Sequence, residues 1–178
     1  MKRITVLLAS PRANGNSDKL AMSFIQGAEQ AGNVVNIFPI RDHKINGCKG
    51  CEYCYDHAGE CAQKDDMQKL YHIFENTDVL VISTPVYYQG FPSQLKAVID
   101  RLYVTENREF PISESVLLTT YATAGIEMSK MIIDYYCAWS DYLEFTNRGV
   151  IAIDNLDDKN DIDGNEKLTI AYEMGRNL

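Results

Sequence analysis

Apolar positions alternate between two rhythms along the chain. Ile4-Thr5-Val6-Leu7-Leu8-Ala9 is a nearly continuous apolar run, as a buried strand is when both of its faces are covered, and it predicts a strand over 3–9. Leu20, Ala21, Phe24, Ile25 and Ala28 then fall on one face at helical spacing and predict a helix over 17–31, stopped by Gly32-Asn33. A strand over 34–40 follows. Residues 41–65 show no period. Met67, Leu70, Tyr71 and Phe74 predict a helix over 65–75, with Asp65 and Asp66 at the positive end of its dipole. Strands follow over 78–84, 115–120 and 145–153. A helix with Pro92 in its first turn carries Leu95, Val98, Ile99, Leu102 and Tyr103; another spans 126–142; a last one ends near Gly175.

Five strands alternating with helices, joined by right-handed crossovers, imply an α/β protein: a parallel sheet between two helical layers. The whole chain, 1–178, reads as one domain of strand order 2-1-3-4-5, with 41–65 as an insertion loop. In such sheets ligands bind beyond the carboxyl ends of the strands, where the order reverses. Three loops meet there: 10–17, 85–91 and 121–125.

The first of these loops has phosphate-binding chemistry. It joins a buried strand to a helix N-terminus, where free N–H groups and the dipole favour an anion. Ser10, Asn14, Asn16 and Ser17 can donate hydrogen bonds, Arg12 adds a charged fork, and Gly15 is expected to permit a tight backbone path. An ordinary capped helix start would have a similar composition. The loop has neither the three glycines of a dinucleotide fingerprint nor a Gly-Lys-Ser/Thr. It also lacks the acidic residues a phosphorelay receiver needs after its first strand. The second loop, Pro85-Val86-Tyr87-Tyr88-Gln89-Gly90-Phe91, offers aromatic surface on which a planar ligand could stack, with Gly90 expected to allow close backbone approach. Tyrosines at a sheet edge also cap cores or meet another subunit. One phosphate on a planar ring system describes FMN.

The pattern A-S-P-R-A-N-G-N-S, with D-D-M and T-P-V-Y-Y-Q-G-F-P-S-Q-L-K-A-V-I-D-R further on, resembles the NAD(P)H-dependent FMN reductase and iron–sulfur flavoprotein group of the flavodoxin-like superfamily. The resemblance implies a flavodoxin-like three-layer sandwich with non-covalent FMN. It places the phosphate on Ser10, Arg12, Asn16 and Ser17, beside Asn14. The ring would lie along Pro85, Val86, Tyr87, Tyr88, Gln89 and Gly90, and the 121–125 loop, with Thr123, Ala124 and Gly125, would close the far side. Thr123 and the Gly125 N–H are expected near the ring's N1 and O2. Lys96, Asp100 and Arg101 also match and are read as structural first.

The aperiodic stretch carries Cys48-x2-Cys51-x2-Cys54-x6-Cys61, while Cys137 stands alone. Successive x2 spacings wrap one loop, as in bacterial ferredoxin runs, and resemble the spacing of iron–sulfur flavoproteins. A [4Fe–4S] cluster on Cys48, Cys51, Cys54 and Cys61 is therefore one reading; free thiols, a redox dithiol and zinc are others.

A net charge of −8 argues against nucleic acid and anionic membrane partners. No apolar run approaches the ~20 residues of a membrane span. The first apolar run is too short for a signal sequence, so a cytoplasmic location is expected. Asp161-Ile162-Asp163-Gly164 fails the calcium-loop pattern, because Lys159 and Ile170 stand at ligand positions. It reads as a loop capping the last helix. The helix over 126–142 is apolar over more than one stripe, through Met131, Ile132, Tyr135, Tyr136, Trp139 and Tyr142, and suggests a homodimer or homotetramer. The expected activity is an FMN oxidoreductase passing electrons from NAD(P)H to a small quinone, flavin, azo or nitro acceptor, with no catalytic side chain. The alternative is an electron carrier fed by ferredoxin through the cluster. A nucleotide-binding module without flavin is a third reading.

Overall fold

The computed structural model describes residues 1–178. Its five strands are β1 (Arg3–Leu8), β2 (Val34–Pro39), β3 (Val79–Pro85), β4 (Glu114–Thr120) and β5 (Thr146–Ile153). All pair in parallel, in the order β2-β1-β3-β4-β5. The helices are α1 (Asn16–Gln30), the single turn α2 (Tyr53–Asp56), α3 (Met67–Phe74), α4 (Ser93–Arg101), α5 (Glu127–Tyr142) and α6 (Lys167–Arg176). Strands and longer helices fall where the hydrophobic periods put them. The aperiodic stretch holds only a 3-10 turn, Ile40–Asp42, and α2.

Alternation along the strands divides the core in two. Ile4, Val6 and Leu8 of β1 pack with Leu20, Phe24 and Ala171 under α1 and α6. Leu7 and Ala9 point the other way and join Met67, Leu95 and Tyr136 under α3, α4 and α5. α1 and α6 approach through glycines: a Cβ on Gly27 would overlap the Tyr172 carbonyl, and one on Gly175 the Phe24 carbonyl. That contact draws the β5–α6 connection back across the carboxyl edge of the sheet towards α1.

Three local expectations are corrected. Pro92 is the N-cap of α4, with extended ψ of 142°, not part of the first turn. Gly15 has an ordinary φ of −83°, and the left-handed residue of its loop is Asn14, at φ 56°. A Cβ on Gly90 would meet only an ordinary contact; the positive φ values fall on Tyr88 (50°) and Gln89 (64°). No helix is long and apolar enough to cross a membrane.

Candidate functional site

The carboxyl edge of the sheet carries two neighbouring cavities. The smaller, about 120 Å³, is lined by Ser10, Arg12, Gly15, Asn16 and Ser17, by Pro85, Val86 and Tyr87, by Thr120, Tyr121 and Ala122, and by Leu156 to Lys159. The larger and more open one, about 450 Å³, runs beside it between Val86, Tyr88 and Gln89 and the segment Tyr121, Ala122, Thr123 with Met128.

The small cavity sits on the N-terminus of α1. Gly15 is the N-cap and has no side-chain oxygen to offer. The first helical bond is donated by Lys19, to the Gly15 carbonyl at 3.0 Å, so the N–H groups of Asn16, Ser17 and Asp18 find no acceptor in the chain. Ser17 is 3% exposed and lines the cavity, and its hydroxyl has no partner. Its carbonyl is held from below by the Ser83 hydroxyl at 2.8 Å. The free N–H groups of the lining residues Asn16 and Ser17, an unpartnered hydroxyl and Arg12 therefore meet at one small space, with the Asp18 N–H free in the same turn. That donor set fits a phosphate monoester.

The remaining loop residues shape the seat. The Ser10 hydroxyl bonds the Arg12 N–H and carbonyl, both at 3.1 Å, and folds the turn that presents Arg12. Asn14 donates its N–H to Asp18 Oδ2 at 2.8 Å, and neither cavity includes it. Asp18 is buried and pairs with Arg41 at 3.0 Å; Arg41 also donates to the Ser10 carbonyl at 3.2 Å. Asn16 commits its carboxamide elsewhere. Nδ2 donates to the Asp158 carbonyl at 2.9 Å, while Oδ1 accepts from the N–H groups of Asn160 at 3.1 Å and Ile162 at 3.4 Å.

The aromatic wall is a two-residue hairpin. Tyr87 and Gly90 exchange both backbone hydrogen bonds at 2.9 Å, with left-handed Tyr88 and Gln89 between them, the geometry of a type I′ turn. Tyr88 at the tip is fully exposed. On the far side Thr123 lines the open cleft, as expected, but Ala124 and Gly125 do not. The Gly125 N–H is already taken by Asp154 Oδ2 at 2.9 Å, so it is not free for a ligand. That hydrogen bond holds the Asp154 carboxyl below its usual range.

Sequence reasoning missed several residues at this edge. Thr120 lines the crevice, ahead of Tyr121 and Ala122 of the expected 121–125 loop, and so do Leu156, Asp157, Asp158 and Lys159 of the β5–α6 loop. The second group was readable only as a helix cap, because β5 lies three strands from β1. The packing of α6 on α1 is what brings its loop across. Arg41 beneath the first loop left no local signal.

The cysteine loop lies apart from these cavities. Cys54 and Cys61 are half-buried against the core under α3 and α4, whereas Cys48 and Cys51 are exposed. Burial raises the Cys54 thiol, and Cys61, Cys48 and Cys51 add to the effect. The Gly50 N–H points at Cys48 Sγ, 3.4 Å away. No three of the four are gathered into a metal-ligating group. The expected ligand set is thus not assembled into a site: two members pack on the core while two are exposed. His57 stacks on Tyr53 with ring centres 3.6 Å apart.

The family model for NADPH-dependent FMN reductase matches residues 2–132, which covers both β1–α1 and β3–α4 loops. The chain belongs to this family. Among curated relatives, an iron–sulfur flavoprotein of Archaeoglobus fulgidus is 38% identical over 96 residues, 54% of this chain and 43% of that protein. Another from the same organism is 32% identical over 135 residues, 69% of this chain and 65% of that protein. The match thus spans less than half of the first relative's length and about two thirds of the second's. The fold is shared with an NAD(P)H:quinone oxidoreductase from Methanothermobacter marburgensis, with a TM-score of 0.76, 18% identity and 99% and 96% of the two chains covered. It is shared too with an azoreductase from Bacillus anthracis, with a TM-score of 0.73, 15% identity and both chains covered in full.

Proposed function

We propose that the protein is an FMN-dependent oxidoreductase that draws electrons from NADH or NADPH and passes them to a small acceptor such as a quinone, a free flavin, an azo compound or a nitroaromatic. The observation that carries this reading is the union of a phosphate-sized cavity on the uncapped start of α1 with an open, aromatic-edged cleft. Ser17, Arg12 and the N–H groups of residues 16–18 hold the phosphate, and Ser10 sets the turn that aims Arg12. Pro85, Val86 and Tyr87 wall the ring on one side, with Tyr88 and Gln89 at its rim and Thr123 opposite. FMN bound there supplies the hydride chemistry. The chain's own contribution is orientation and exclusion. Arg41 and Asp18 fix the first loop from below, and the cleft stays open on one face so that a second flat molecule can reach the ring. No side chain of the cleft is required as acid or base. Purified protein should carry the double absorption band of a flavin and oxidise NADH or NADPH when a quinone is added; flavin-loaded protein with no such oxidation sinks this reading.

The cysteine loop favours a second reading, an electron carrier in which Cys48, Cys51, Cys54 and Cys61 hold a [4Fe–4S] cluster fed by a ferredoxin. It is supported by the spacing of the four cysteines along one loop and by the names of the curated relatives. Anaerobic purification with iron and acid-labile sulfide counts separates the two: about four of each per chain, lost in Cys51→Ala while FMN stays, selects the carrier. In either case we infer a homodimer or homotetramer in a cytoplasmic setting. The exposed Ile126, Met131, Tyr135 and Tyr142 of the α5 region support the assembly, which sedimentation would test.

A further inference from the structure

The small cavity has a second wall that the first loop does not provide. Leu156, Asp157, Asp158 and Lys159, from the β5–α6 loop, line it opposite Ser10 to Ser17. This loop is tied to the seat chiefly by the Asn16 side chain. Asn16 makes three hydrogen bonds to its backbone, at the Asp158 carbonyl and the N–H groups of Asn160 and Ile162. The tie is reinforced by Lys19 to Asp163 at 2.5 Å and by the Asp158 N–H to Asp161 Oδ2 at 2.7 Å. The charged residues around the cavity are therefore Arg12 and Lys159 against Asp157 and Asp158. Neither Arg12 nor Lys159 enters a salt bridge.

We propose that the β5–α6 loop is half of the phosphate seat, with Lys159 as a cation that meets the phosphate and Asn16 as the residue that positions it. The inference rests on the FMN reading above. Its physical basis is charge balance. Without Lys159 the second wall would turn two carboxylates towards a phosphate carrying close to two negative charges, and Arg12 alone would have to offset them. With Lys159 the wall keeps one net negative charge, which Arg12 across the cavity offsets, and the free N–H groups and Ser17 hydroxyl can set the affinity. Asn16 acts through the loop: Nδ2 and Oδ1 of its carboxamide both bond the loop backbone, and so it holds the chain on either side of Lys159 against α1.

The test compares FMN with riboflavin, which has the same ring and no phosphate. Both are titrated into the flavin-stripped 178-residue chain by fluorescence quenching. The unaltered chain is expected to prefer FMN strongly. Lys159→Gln should weaken FMN about tenfold, the scale of one hydrogen bond to a charged group, and leave riboflavin unchanged; Lys159→Arg should restore most of the loss. Asp157→Asn should tighten FMN. Asn16→Ala should also lower the FMN preference, and adding Lys159→Gln to it should cost little more, because a displaced loop no longer presents the lysine. If FMN is preferred and Lys159→Gln keeps the full preference, the second wall is overturned while the FMN reading stands. If the unaltered chain binds FMN no better than riboflavin, both fail. Lys159 is exposed, so a folding defect does not confound its variants.

Discussion

Arg101 grips both oxygens of Asp65, with Nη1 to Oδ2 at 3.0 Å and Nη2 to Oδ1 at 3.2 Å, and the two side chains are only 1% and 8% exposed. Arg101 Nη1 also donates to the Asn46 carbonyl at 3.1 Å, and the Asn46 N–H donates to Asp65 Oδ2 at 2.9 Å. One guanidinium at the end of α4 thus fastens both ends of the cysteine loop. Removing one partner leaves an uncompensated buried charge. Arg101→Met should cost about 3–5 kcal/mol in urea unfolding, and Arg101→Met with Asp65→Asn distinctly less.

The same pair makes stability depend on acid. Burial alone would push the Asp65 carboxyl up, but Arg101 and the Asn46 N–H outweigh it and hold it below the usual range. A carboxyl lower in the folded state than in the unfolded one contributes stability above its unfolded value, about pH 4, and loses it as pH falls through the folded one. Urea midpoints measured from pH 5 down to 2 should fall steeply for the native chain and less steeply for Asp65→Asn.

Gly27 is required by contact, not by conformation. Backbone carbonyls cannot rotate aside as a flexible side chain can, so Gly27→Ala must push α6 away from α1. A loss of about 2–3 kcal/mol is expected from denaturant titration, the upper range for overpacking. Since α6 sets the path of the β5–α6 loop, FMN affinity should fall with it.

The hairpin over the cleft stores strain. Type I′ turns favour Asn-Gly, yet this one holds Tyr88 and Gln89 at positive φ. Gln89→Gly should raise stability by about 1 kcal/mol, or roughly 2–4 °C in Tm for a chain of this size. A calorimetric scan that shows no gain would mean the turn relaxes.

Arg12→Ala and Ser17→Ala should each weaken FMN by about 10- to 100-fold, the range for a hydrogen bond to a charged group. The circular dichroism spectrum should not change, because neither side chain supports the core. Equilibrium dialysis against FMN would read this directly.

The hydrophobic pattern of this chain determined its layers. Runs such as Val79-Leu80-Val81-Ile82 can only be buried strands, and the stripe of Leu20, Phe24 and Ala28 has only one face to bury. Alternation of the two then leaves little choice but a parallel sheet, whose switch point gathers the loops after β1 and β3. Ser17, Arg12 and Tyr87 were legible for that reason: each lies beside an element whose position local pattern already dictates. Which side chains line the crevice at a strand end is a local property.

What tertiary structure alone decided are relations between residues far apart in sequence. That the Asn16 carboxamide also binds the backbone at 158–162 had no local signal. The Gly125 N–H looked free until Asp154 reached it. Arg101 matched a motif, but its burial and its grip on Asp65 depend on where an aperiodic loop returns to the core. Lys159 looked like part of a helix cap until the glycine contact of α6 with α1 carried it to the cavity. Periodicity reports which face of an element is buried; which partners a polar side chain meets is set by the paths of loops, and those have no period.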